Sequence, residues 1–282
     1  MSKGIIYILL AVLAFAIMNA MAKQLSGLHP MQIVFLRAFG TFVFIFPYML
    51  WHRVPVVGEN VGMLVARALV GIVSLATFFI CLQRIPLASA VSMRYLGPVF
   101  GAIMAFYFLK EKINSWQWLS FLISFSGVLV IKGFDLRIDY LSLILILTSA
   151  LFLGTVFVII RYLSTREHYL TIINYFMVVS MLLGLCFVNR WRMPVGDEWP
   201  AVLGIGVFGL IGQVFMTKAY QLVEASVLAP FKYAGLIYAL FIGYFFFKET
   251  FTLLPLIGIA LIVLGMLLNI YGKRKSISRS SA

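Results

Sequence analysis

The sequence predicts an all-α integral membrane protein with ten transmembrane helices in two inverted five-helix repeats. Three observations predict it: the composition, the spacing of the apolar runs and an internal repeat at a fixed offset. Of 282 residues, 63% are hydrophobic and 11% charged. A soluble domain carries about half apolar and about a quarter charged residues. So few charges cannot cover a water-facing surface. A bilayer removes the need to.

About 20 mostly apolar residues cross the hydrocarbon core as a helix, which satisfies its own backbone polar groups there. Runs of this kind fall near 4–24, 30–51, 60–82, 88–109, 115–132, 139–161, 169–189, 200–221, 226–247 and 252–271. The first run follows Lys3 and ends in Ala20-Met21-Ala22, a pattern that imitates a cleaved signal peptide. Similar runs follow it, and it has a counterpart in the second half, so it belongs to the fold. Links as short as Arg84–Leu87 and Leu222–Ala225 force antiparallel hairpins. The expected division is 1–134, 139–272 and a basic, Ser-rich tail over 273–282 without regular structure.

The net charge is +13. No basic cluster sits in a soluble module, so the charge reads as loop bias and headgroup contact rather than nucleic-acid binding. With the N-terminus inside, ten Lys and Arg face the cytoplasm and seven the other side. That bias favours both termini in the cytoplasm; the expected location is the cell inner membrane. Cys81 and Cys186 lie inside apolar runs, and His29, His52 and His168 are scattered at helix ends, a pattern without metal-ligand spacing. No cofactor is expected.

Shifting the sequence by 138 residues aligns the halves without gaps. Gln83 meets Gln221, Tyr95 meets Tyr233, Gly97 meets Gly235, and Lys110-Glu111 meets Lys248-Glu249. Gly71 meets Gly209, Gly127 meets Gly265, Lys23 meets Arg161, and Arg94 meets Lys232. An odd number of helices per repeat makes the second half enter from the opposite face. The halves are then related by a pseudo-two-fold axis in the membrane plane, as in many secondary transporters.

In this pattern the chain resembles the drug/metabolite transporter superfamily, in its EamA-type branch. The residues that carry the resemblance are Phe108-Leu109-Lys110-Glu111 and Phe246-Phe247-Lys248-Glu249, which close the fourth helix of each half. Gly127 and Gly265 in the fifth helices and the Arg94–Pro98 stretch add to it. The resemblance implies cytoplasmic termini and a central cavity lined by the first four helices of each half, with the fifth and tenth peripheral. It implies transport of a small organic solute. One departure stands out: Lys precedes Glu in both halves, where the family commonly has glycine or a small residue.

Charges inside the membrane cost at least a few kcal/mol and usually face a cavity or a partner. Arg94 and Lys232 lie about six residues into the fourth and ninth helices, beside Tyr95 and Tyr233. Gly97, Pro98 and Pro230 adjoin them; proline frees a carbonyl one turn back, and broken helices at matching positions point to a transport site. The competing reading is that both cations snorkel to headgroups. Arg37 and Arg67, about eight residues deep, join the candidates, although their counterparts Tyr175 and Ile205 are uncharged. Gln83 and Gln221 complete the set as polar groups for packing or substrate.

The nine acids all fall at helix ends or in loops, which disfavours proton or sodium coupling and favours exchange or facilitated diffusion. Excess buried cations favour an anionic or zwitterionic solute with a carboxylate, phosphate or amino-acid character. Glu111 and Glu249 read as structural, pairing with Lys or capping a helix end. Small faces on the fifth and tenth helices suit intrachain packing first and a homodimer contact second. Two other functions compete: a multidrug or toxic-metabolite exporter, and a membrane-embedded transferase. The second would need a polar cluster at one interface, which the sequence lacks.

Overall fold

The computed structural model describes residues 2–109, 115–135, 138–163, 166–222, 231–232, 234–250 and 252–280. Helices Ser2–Gln24 (α1), Pro30–Trp51 (α2) and Val61–Arg84 (α3) open the first half, and Ser115–Phe134 (α6) closes it. The fourth span is two helices, Leu87–Arg94 (α4) and Gly97–Leu109 (α5). The second half runs Tyr140–Leu163 (α7), Tyr169–Leu185 (α8), Trp199–Leu222 (α9), Ala234–Phe247 (α10) and Leu253–Ser280 (α11). Among the described residues, six spans are long and apolar enough to cross a membrane, and four shorter apolar helices accompany them.

Local chemistry sets the helix starts. His29 and His168 cap α2 and α8 by accepting from the N–H of Met31 and Leu170, and Pro30 fits the first turn of α2, where its missing N–H costs nothing. Asp139 caps α7 by accepting from the Ser142 N–H at 3.0 Å. The tail departs from expectation. From Lys273 the helix continues to Ser280, because after Gly272 neither proline nor glycine interrupts it.

Packing obeys the 138-residue repeat. α1 packs on α9 as α7 packs on α3, and α2 packs on α9 as α8 packs on α3. α1 meets α10 as α7 meets the fourth span, while α2–α8, α4–α10 and α6–α11 are each their own counterpart. Only a pseudo-two-fold axis between the halves produces this set. The α6–α11 pair shows it at atomic scale: a Cβ on Gly127 would meet the Gly258 carbonyl, and one on Gly265 would meet the Ser120 carbonyl and Ser124. Those two contacts exchange under the repeat. The small faces of these helices are therefore buried against each other.

Helix ends that should share a face also touch. On the face opposite the N-terminus, Lys23 pairs with Glu249 at 2.8 Å and Arg84 with Asp139 at 2.8 Å. Arg192 there binds Glu198 and donates to the Gly27 carbonyl, tying the α8–α9 loop to the α1–α2 loop. That pairing holds Glu198 below the usual carboxylate range and raises Arg192. On the N-terminal face, Glu167 accepts from the Asn60 N–H at 2.6 Å.

Candidate functional site

A cavity of about 310 Å3 lies at the seam of the halves. Its walls come from α1–α4 and the start of α5 in the first half, and from α7–α10 with the adjoining Lys232 in the second. Neither α6 nor α11 contributes. Arg37, Arg67, Arg94 and Lys232 all line it, and no carboxylate does among the described residues.

Arginines 37 and 67 are 6% and 9% exposed. Both guanidiniums lie against Phe176, at 5.8 and 4.4 Å from its ring centre. Arg37 also donates to the Met18 sulfur at 3.2 Å. Nε and Nη1 of Arg67, Nε of Arg94 and Oδ1 of Asn19 are buried without a hydrogen-bond partner among the described residues. Arg94 stacks over Phe78 at 4.0 Å, and Lys232 lies 5.7 Å from Phe157. Aromatic faces stabilise a desolvated cation by about 2 kcal/mol or more. They do not satisfy its N–H groups, so these cations remain open to an anionic ligand.

A backbone break places Arg94. Arg94 is the last residue of α4, and the hydrogen bonding tightens there, with the Leu96 N–H donating to the Met93 carbonyl. Pro98 then opens α5 with no N–H to offer the Arg94 carbonyl. The Tyr95 hydroxyl crosses to the Lys232 carbonyl at 2.8 Å. Gly235 makes room for it, since a Cβ there would sit 2.6 Å from that oxygen. Gly97 instead packs its backbone on Leu153.

Some predicted residues lie elsewhere. Gln83 is off the cavity, its amide donating to the Leu28 carbonyl at 3.1 Å. Tyr233, Pro230 and the Gln221 side chain lie outside the described residues, as does Glu111. Others joined the site without being singled out as binding residues: Phe176, Phe157, Met18 and Gln213. Gly71 and Gly209 are equivalents in the repeat, and each borders an arginine. A Cβ on Gly71 would lie 3.6 Å from Arg67 Nη1, and one on Gly209 3.5 Å from Arg37 Nε. Their match across the halves was the available signal.

Glu249 lies at the face opposite the N-terminus, in contact with a residue that lines the cavity. Its carboxylate accepts from the Leu87 N–H at 2.9 and 3.0 Å, capping α4. Lys23 pairs with it and donates to the Ile85 carbonyl at 2.7 Å. Glu249 is only 8% exposed, more buried than its place at a helix end suggested. Leu87 is the lining residue directly beneath it.

Two five-helix halves around a shared cavity lined by four cations, one of them set by the break in the fourth span, define a multi-pass membrane transporter rather than an enzyme. The EamA-like transporter family matches residues 2–133 and 140–271. The chain belongs to that family. It is 32% identical over 268 residues to the pseudopaline exporter CntI of Pseudomonas aeruginosa, covering 93% of this chain and 94% of that one. It is 24% identical over 284 residues to an S-adenosylmethionine uptake transporter of Rickettsia felis, covering 98% and 95%. A crystal structure at 17% identity shares the fold, with a TM-score of 0.62 over 94% of this chain and 98% of the other.

Proposed function

We propose that this protein is an alternating-access carrier for a small organic solute bearing an ionised acid group, a carboxylate, phosphate or zwitterion. One observation carries the reading: four cations line the cavity, and no carboxylate lines it among the described residues. An uncompensated charge in this setting is costly, and an acidic solute supplies the compensation. The same scarcity of carboxylates favours exchange over ion coupling.

In this reading the N-terminal face is cytoplasmic, in the cell inner membrane. The Lys23–Glu249–Leu87 cluster then seals the outer end of the cavity, and the fold is in its inward-facing state. Ile160 and Lys232 line the cavity near the cytoplasmic ends of their spans, and in this reading they are its inner rim. Exchanging the conformations of the halves breaks the outer cluster and closes the inner rim. The exporter and uptake names of the two relatives show that the family scaffold serves both directions. The surface left for a homodimer on the fifth and tenth spans is their outward apolar side, at Leu122, Leu129 and Leu264.

Counterflow in proteoliposomes tests the proposal. Liposomes preloaded with a pool of acidic metabolites should accelerate entry of labelled members of the pool, and Arg94→Ala or Lys232→Ala should abolish the acceleration. Full transport by both variants at normal expression would overturn it.

A further inference from the structure

The four cations do not form one site for one charge. Arg37 and Arg67 share a single aromatic face, Phe176, and come from adjacent helices of the first half. Arg94 ends α4 at the break in the fourth span, and the Tyr95–Lys232 hydrogen bond brings Lys232 of the second half to it. Arg94 rests on Phe78 and Lys232 near Phe157, on rings other than Phe176. The charge of Arg37 bears on both Arg67 and Arg94, so Arg37 repels each of them. A carboxylate has two oxygens and accepts from two cationic donors at once. One such group would leave half the cluster uncompensated in a low-dielectric site, the arrangement that costs most.

We infer that the solute carries at least two separate ionised acid groups, read at two stations. The first group lies between Arg37 and Arg67 against Phe176. The second reaches Arg94 and Lys232, which the Tyr95–Lys232 hydrogen bond holds together. The buried nitrogens of Arg67 and Arg94 that lack partners belong to different stations, so each station has an open donor. The repeat-related glycines serve the first station: Gly71 leaves space beside Arg67 and Phe176, and Gly209 leaves space beside Arg37. The substrate class is a polyacid, such as a dicarboxylate or an amino-polycarboxylate, of a size that fits about 310 Å3. This rests on the acidic-solute reading above and narrows it.

Calorimetry and thermal shift on the full chain in nanodiscs distinguish the two. The probes are citrate, glutarate, monomethyl glutarate, butyrate and, as a cation, spermidine, each at millimolar concentration. Glutarate should bind at least about tenfold more tightly than its monomethyl ester, a step of about 1.4 kcal/mol, and citrate at least as tightly as glutarate. That ratio should fall toward one in Arg94→Gln and Lys232→Gln, and survive in Arg94→Lys, which keeps the charge. Equal binding of glutarate and its monoester would overturn the two-station inference and leave the acidic-solute reading standing. Binding of spermidine with no carboxylate bound would overturn both, and silence from every probe would overturn the two-station inference.

Discussion

The Tyr95 hydroxyl donates a hydrogen bond to the Lys232 carbonyl at 2.8 Å, joining the break in the fourth span to the start of the ninth. Tyr95 follows Arg94, whose counterpart in the repeat is Lys232 itself. The contact therefore ties together the two positions that carry the cavity's repeat-matched cations. Tyr95→Phe keeps the ring and removes only the donor. It should lower stability by about 1 kcal/mol, roughly fivefold in any equilibrium the bond biases. Thermal unfolding in detergent and the counterflow rate measure the two effects.

A second prediction concerns Glu249. Glu249→Gln retains the shape but removes the charge that Lys23 and the α4 N-terminus share. Leaving Lys23 uncompensated should cost about 3 kcal/mol. It should also speed labelling of Leu87→Cys by an impermeant maleimide added to the face opposite the N-terminus. The double variant Lys23→Met with Glu249→Leu should recover much of the stability, because an apolar pair can replace a buried ion pair.

How much of this was legible in the sequence depends on what each residue reports. Arg37, Arg67, Arg94 and Lys232 were readable because a charge in an apolar run is conspicuous, and the repeat confirmed one pair of them. Phe176 and Phe157 were not, since one phenylalanine among 26 carries no mark of which way it faces. Gln83 fell on the packing side of its two readings for a related reason. It is polar and repeated, yet it serves the Leu28 carbonyl, a contact set by how the α1–α2 loop folds back. Spans with two charged borders were bounded well. α8 was overrun because Cys186-Phe187-Val188 is apolar but leaves the helix at Leu185.

Lys248 holds a backbone conformation that glycine before Glu would suit better. Its φ is 53°, in the left-handed region that favours glycine, and the Glu249 N–H then donates to the Gly243 carbonyl. This turn swings Glu249 onto α4. A side chain there costs about 1 kcal/mol. Lys248→Gly should therefore raise the melting temperature, and Lys248→Val, branched at Cβ, should lower it.

The α6–α11 seam gives a packing prediction. A Cβ on Gly127 would stand 2.5 Å from the Gly258 carbonyl oxygen, which is backbone and cannot turn aside. Gly127→Leu should separate the helices and cost about 3 kcal/mol or more. Ser126→Leu, on the exposed side of the same helix, should stay within about 0.5 kcal/mol of the parent. Melting curves of the three proteins in one detergent decide it.

Asp139 predicts a pH dependence at the loop entering α7. Hydrogen bonds from the Ser142 side chain and backbone, then from Arg84, hold its carboxyl at about 2, below the ordinary 3.8. A depressed carboxyl favours the folded state wherever it is ionised, so its contribution is complete above pH 4 and fades as pH falls through about 2. Asp139→Asn should therefore melt below the parent at neutral pH, and the gap should close on acidification across that window. Ser142→Ala removes the largest cause and should move the carboxyl back toward 3.8, measurable by carboxyl NMR with selective labelling. A gap that stayed constant from neutral pH down to pH 2 would show that Asp139 acts there without its charge.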